Sequence, residues 1–131
     1  MERSEELQYL VRASFEAYSK GDTSFIDRHT SSHDGVRLIG SDPTEGFEGA
    51  SGRSLETRDA GRRRNGLLHG EVDAFVEGNA GWVSSRPVLI LEDGTEIPTR
   101  STAVFHREDG EWKMVQGHKS VGVSNEELFG E

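Results

Sequence analysis

Cysteine is absent from the 131 residues, which excludes disulfides, zinc–thiolate centres and thiol nucleophiles together. Proline is scarce at three residues, and Pro87 and Pro98 interrupt stretches that otherwise alternate as strands. Neither can donate to a strand ladder, so both should mark bulges, edges or strand starts. Hydrophobic residues make up only 32% of the chain, so its core should be thin or completed by a second copy. No run approaches the roughly 20 apolar residues of a spanning helix, and MERSEELQYL lacks the apolar stretch of a secretory leader. These absences predict a cytoplasmic protein without a membrane partner. Positive charge is in short supply too: 15 Lys and Arg against 24 Asp and Glu give a net charge of -9, which opposes binding to phosphate backbones. Nucleic acid is therefore not an expected partner. No Gly-rich strand-turn-helix would cradle a phosphate, so no nucleotide cofactor is expected. His29, His33, Asp34 and Asp42 lie close in sequence but lack the i, i+4 spacing of a helical metal site, and no metal is expected either.

What is present reads as a single α+β domain over residues 1–131, helical first and stranded later. Leu7, Leu10, Val11, Ser14, Phe15 and Tyr18 recur at helical spacing. Ser4 supplies an N-cap, Glu5 and Glu6 suit the first turn, and Lys20-Gly21 closes the helix. Asp22 can cap a second, short helix carrying Phe25 and Ile26, with His29 a turn later and an end near Thr30. A short strand is expected over Val36–Ser41. A helix over residues 51–64 follows, with Arg62, Arg63 and Arg64 in its last turn as either a solvated helix end or an anion site. From Leu68 the period becomes two. Gly78-Asn79, Glu92-Asp93-Gly94 and Glu108-Asp109-Gly110 then separate four strands, of which the later three are expected over Trp82–Leu91, Ile97–Arg107 and Trp112–Val123. Such strands should form one curved antiparallel meander with the helices on its concave side, enclosing a pocket.

Strand parity supplies the candidate site. On the last strand Trp112, Met114, Gln116, His118 and Ser120 alternate with Lys113, Val115, Gly117, Lys119 and Val121. The lysines assign the second set to water and the first to the interior. His118 thereby becomes the first candidate acid/base, since imidazole exchanges protons near neutral pH; the alternative is a core histidine satisfied by Tyr18 or Ser120. Asp42, after the first strand, either faces the pocket mouth as a second catalytic group or makes an Asx turn. Arg100 either meets a carboxylate, of the protein or of a ligand, or lies exposed on its strand. Tyr18, Trp82, Phe105, Gln116 and Ser120 complete the expected ligand contacts. Outward Val115, Val121 and Val123 would be left in water by a monomer, so a homodimer on the convex face is expected.

Three stretches carry a family resemblance: Ala17-Tyr18-Ser19-Lys20-Gly21-Asp22, Ile39-Gly40-Ser41-Asp42-Pro43-Thr44-Glu45-Gly46-Phe47, and the closing hairpin Val104–Ser120 with Asp109-Gly110-Glu111-Trp112-Lys113 and His118. With the element order, they resemble the SnoaL-like branch of the nuclear transport factor 2-like superfamily. The resemblance implies a cone-shaped half-barrel with a deep pocket, frequently dimeric through the outer sheet face. Its members include isomerases, cyclases, dehydratases, hydrolases and proteins that only bind. The ketosteroid isomerases use a tyrosine on the first helix and an aspartate near the first strand; those places fall on Ser14 and Ile39, so that activity is not carried over. The SnoaL cyclases use an acidic residue, for which His118 or Asp42 would have to substitute. Two readings stay open: an acid/base enzyme of isomerase, cyclase or hydrolase type acting on an apolar or aromatic small molecule, and a non-catalytic domain that binds a ligand or protein in the same pocket.

Overall fold

The structure, a computed structural model, describes residues 1–49, 67–68 and 70–130. The chain begins with β1 (Glu2–Arg3) and α1 (Glu5–Lys20). The helix starts where the sequence signals it: Leu7 N–H donates to Ser4 Oγ at 3.1 Å, and Gly21, at φ 69°, closes the far end in the left-handed region. Leu7, Val11 and Phe15 are buried along its inner face. In α2 (Thr23–Arg28), Asp22 caps by accepting from Phe25 N–H at 3.1 Å. The strands that follow are β2 (Arg37–Ile39), β3 (Gly46–Glu48), β4 (Leu67–Leu68), β5 (Val72–Glu77), β6 (Ala80–Ser85), β7 (Val88–Ile90), β8 (Glu96–Pro98), β9 (Arg100–Glu108) and β10 (Glu111–Ser120), and α3 (Asn125–Phe129) comes last.

Seven strands form one sheet in the order β1-β5-β6-β9-β10-β2-β3, while β4-β7-β8 make a second, three-stranded sheet. Within the large sheet β5, β6, β9 and β10 are antiparallel neighbours, and β2 lies parallel to β10. This is the expected α+β architecture, a curved open sheet with the N-terminal helices on its inner side. The expected long strands are broken at the anticipated prolines. Buried Pro87 separates β6 from β7, and its carbonyl accepts both the N–H (3.0 Å) and the hydroxyl (2.6 Å) of Thr99, which separates β8 from β9. The two breaks are thus tied together, and the β7-β8 hairpin folds away as its own sheet. β10 stops at Ser120 rather than Val123, because Ser124 caps α3. Strands as short as β1 and β3 carry too few residues to show a period. The expected helix over 51–64 and its arginine run lie outside the described residues. Among the described residues no helix is long and apolar enough to cross a membrane.

The core joins α1 to the inner sheet face through Leu7, Val11, Phe15, Ala74, Val83 and Phe105. Gly81 sets the closeness of that contact, since a Cβ there would lie 2.7 Å from Leu7 Cδ2. One irregularity governs everything beyond it. Met114 pairs with Phe105 but Gln116 pairs with Val104, so Val115 is an extra residue, a β-bulge. Facing residues of an antiparallel pair share a side of the sheet, and β9 alternates regularly between buried Phe105 and exposed Val104. Past the bulge the faces of β10 therefore exchange: Gly117 and Lys119 turn inward, whereas Gln116, His118 and Ser120 turn outward.

Gly81→Ala should destabilise the fold by about 1–3 kcal/mol through overpacking against Leu7, read as a lower urea midpoint with unchanged m-value. Combining it with Leu7→Ala should cost less than the sum of the two single changes.

Candidate functional site

A cavity of about 390 Å³ lies between the two N-terminal helices and the inner sheet face. Phe15, Leu38, Val83, Phe105 and Met114 supply much of its apolar wall, with Tyr18, His29, Glu45, His118 and Lys119 as titratable groups on it. The bulge places two of its inner positions. A Cβ on Gly117 would sit 3.3 Å from Leu38 Cδ2 and 3.2 Å from Met114 Sδ, which puts that position among inward side chains. Lys119 Nζ lies 4.6 Å from the centroid of the Tyr18 ring, a cation–π contact between β10 and α1.

The expected site residues divide accordingly. Tyr18 and Phe105 border the cavity. His118 pairs with Thr102 and is exposed, and it also lines the cavity. Gln116 and Ser120 turn outward past the bulge. Arg100 is exposed on the outer face, where its Nε–H donates to Ser120 Oγ at 3.4 Å. Trp82 pairs with Val104 on that face and stacks on Phe75 at 6.4 Å. Asp42 makes the Asx turn: its carboxylate accepts from Thr44 N–H at 2.8 Å and from the Thr44 hydroxyl at 2.6 Å. Those bonds hold its pKa below the ordinary carboxylate value. Asp42 is thus engaged in the Asx turn, while His118, exposed on its strand, is among the residues that line the cavity.

His29, Glu45 and Lys119 line the cavity as well. His29 follows α2 as its C-cap, with its carbonyl accepting from Met114 N–H at 2.8 Å and its ring 4.5 Å from that of Phe25. Its Nδ1 is buried without a hydrogen-bond partner among the described residues. Burial pushes the imidazole pKa down, a hydrogen bond to the Trp112 backbone opposes that, and the charges of Arg28 and Lys113 push it further down. The neutral form of the ring is thus favoured. Glu45 sits over Gly40, where a Cβ would meet its carboxyl carbon at 2.8 Å, and its Oε1 accepts from Asp42 N–H at 3.0 Å. The signal for the exchanged faces was Gly117, since glycine inside a strand often marks a bulge or a close approach.

A family model described as a SnoaL-like domain matches residues 8–124. No curated protein matches the chain. Among solved structures, an NTF2-like protein of unknown function from Pseudomonas putida KT2440 superposes with a TM-score of 0.77 at 15% identity, covering 93% of this chain and 88% of that one. A structure described as a candidate dehydratase of the NTF2-like family from Streptomyces avermitilis gives 0.73 at 16% identity, with 92% and 96% covered. One described as a candidate ketosteroid isomerase from Shewanella frigidimarina NCIMB 400 gives 0.70 at 14%, with 86% and 92% covered. At these identities the likeness concerns the fold.

His118→Ala should leave stability within about 0.5 kcal/mol of the parent, as for other exposed positions. His29 should behave oppositely in its pH dependence. Its folded pKa is lowered from the unfolded value of about 6.5, so below that pH the unfolded chain binds a proton the folded one refuses. Stability must then fall as pH drops through about 6.5 toward the folded pKa. The fall in melting temperature between pH 7.5 and 5.5 should be smaller in His29→Gln than in the parent.

Proposed function

The chain belongs to the SnoaL-like domain family, and we propose that it binds a small, largely apolar molecule in the cavity between α1 and the inner face of the sheet. The carrying observation is the cavity itself: about 390 Å³, within the range of small-molecule sites, with aromatic and aliphatic residues such as Phe15, Phe105 and Met114 beside hydroxyl residues such as Ser14, Ser101 and Thr102. Tyr18 and Phe105 are the ligand contacts retained from the sequence. The candidate isomerase and dehydratase among the structural neighbours are compatible with such a ligand but do not select a reaction.

An acid/base role is the second reading, and His29 favours it. A neutral imidazole bordering an apolar cavity is suited to accept a proton from a bound carbon acid, with the Tyr18 hydroxyl as a donor. This requires the ring to rotate, because Nδ1 is shielded from solvent and cavity alike. Simple binding needs no such movement and is therefore the primary reading. A homodimer on the outer sheet face is proposed alongside it: Ile39 is 48% and Val104 38% exposed there, beside the half-buried Phe75–Trp82 stack.

Ala103→Phe, on the inner face of β9, should fill the cavity. A thermal-shift screen of small aromatic and aliphatic compounds should raise the melting temperature of the parent, by the equivalent of about 2.7 kcal/mol at a hundredfold excess over Kd. The filled variant should not respond to the same compounds. Light scattering at micromolar concentration should report twice the 14.5 kDa chain mass, and Val104→Glu should return the monomer. A parent that scatters as a monomer throughout contradicts the dimer.

A further inference from the structure

The hydroxyls on the cavity wall are not alike. Ser14 donates to the Leu10 carbonyl at 2.9 Å, Thr30 to that of Ile26 at 2.8 Å and Thr99 to that of Pro87 at 2.6 Å, so each spends its proton on backbone. Ser85 and Ser101 also line the cavity, but their hydroxyls make no hydrogen bond among the described residues. The two face each other across β6 and β9, and facing residues of an antiparallel pair share one side of the sheet, with Cβ atoms about 4.5–5.5 Å apart. Val72, opposite Ser85 on β5, is part of the buried core, which fixes that side as the inner one. Ser85 is only 5% exposed. A hydroxyl withdrawn from water without a partner carries a cost that alanine would avoid. Lys119, which continues the row on β10, is engaged over the Tyr18 ring.

We propose that Ser85 and Ser101 form the polar end of the cavity and hold a neutral oxygen, that of a ketone or an alcohol, carried on an apolar body. This rests on the cavity-binding reading above and specifies the ligand's class. Each hydroxyl offers one donor and two acceptor lone pairs and rotates to suit its partner. The pair can therefore donate twice to a ketone oxygen, or give one bond to an alcohol and accept one from it. Neutral hydroxyls return little of the hydration that a full charge gives up on burial, so the pair suits an uncharged oxygen. Val83, Ala103 and Phe105, further along the inner side of the same two strands, take the apolar body.

The test uses the full chain and isothermal titration with three probes of one carbon skeleton: benzylacetone, the alcohol formed by its reduction, and butylbenzene. Ser85→Ala combined with Ser101→Ala should weaken binding of the ketone and the alcohol at least tenfold and leave butylbenzene within twofold; the larger of the two losses identifies the head group. Ser84→Ala, exposed on the same strand, should change none of the three, and Ala103→Phe should lose all of them. Without ligand, Ser85→Ala should melt at or above the temperature of the parent, because it removes an unpaired buried hydroxyl. A clearly lower melting temperature would mean that this hydroxyl is bonded within the fold, and overturns the site. Circular dichroism verifies that each variant is folded, and Ser101→Ala alone serves if the double variant is not. Equal losses for all three probes, or no loss for the two oxygenated ones, overturn the role of the serines while the cavity reading stands. Binding of butylbenzene by the parent with neither oxygenated probe overturns the neutral-oxygen assignment alone. Absence of binding by every probe overturns both readings.

Discussion

The pairing of β9 with β10 decides what this protein presents to its cavity. β9 alternates without interruption from exposed Arg100 to buried Phe105, and it fixes the sides of β10 by facing it residue for residue. One extra residue, Val115, shifts that correspondence by a single step. Because side chains alternate with a period of two, a single step exchanges the two faces of the strand. Gly117 and Lys119 then turn inward, and the His118 side chain is exposed. Close packing of Leu38 and Met114 around Gly117 depends on the same shift, since a β-carbon there would press on both.

Most of the fold was legible because its signals are local. Ser4, the paired glutamates and Gly21 bound α1 as their capping chemistry requires, and Leu7, Val11 and Phe15 became its buried stripe. Asp22 capped α2, and the Asp-Gly turns separated the strands. The prolines did what their missing N–H demands, although the clasp between Pro87 and Thr99 joins residues twelve apart and has no local signature. The site was less legible because it depends on parity carried across a long strand. Trp112 and Met114 lie on the inner side, but extending their alternation through Val115 passes over the bulge that sets the register of Gln116, His118 and Ser120. The assumption that lysine faces water also failed at Lys119, whose long stem can lie along a wall while its ammonium rests on an aromatic face.

The resulting cavity is chemically sparse. Its walls mix aliphatic and aromatic residues with Ser and Thr, burial lowers the His29 pKa, and Glu45 is engaged with the rim loop. Asp42, the carboxylate that the sequence offered as a catalytic partner, spends its acceptors on Thr44. Such a wall offers binding contacts more directly than it offers two poised groups for proton transfer. A single inserted residue, Val115, decides which side chains of β10 face the inner side of the sheet.

The absence of cysteine makes the exchanged faces directly measurable, because a single introduced thiol reports its own accessibility. Maleimide labelling of His118→Cys and Lys119→Cys, each confirmed folded, should be fast at 118, near the rate in denaturant, and slow at 119. Fast labelling at 119 with protection at 118 would restore the uninterrupted alternation and contradict the account.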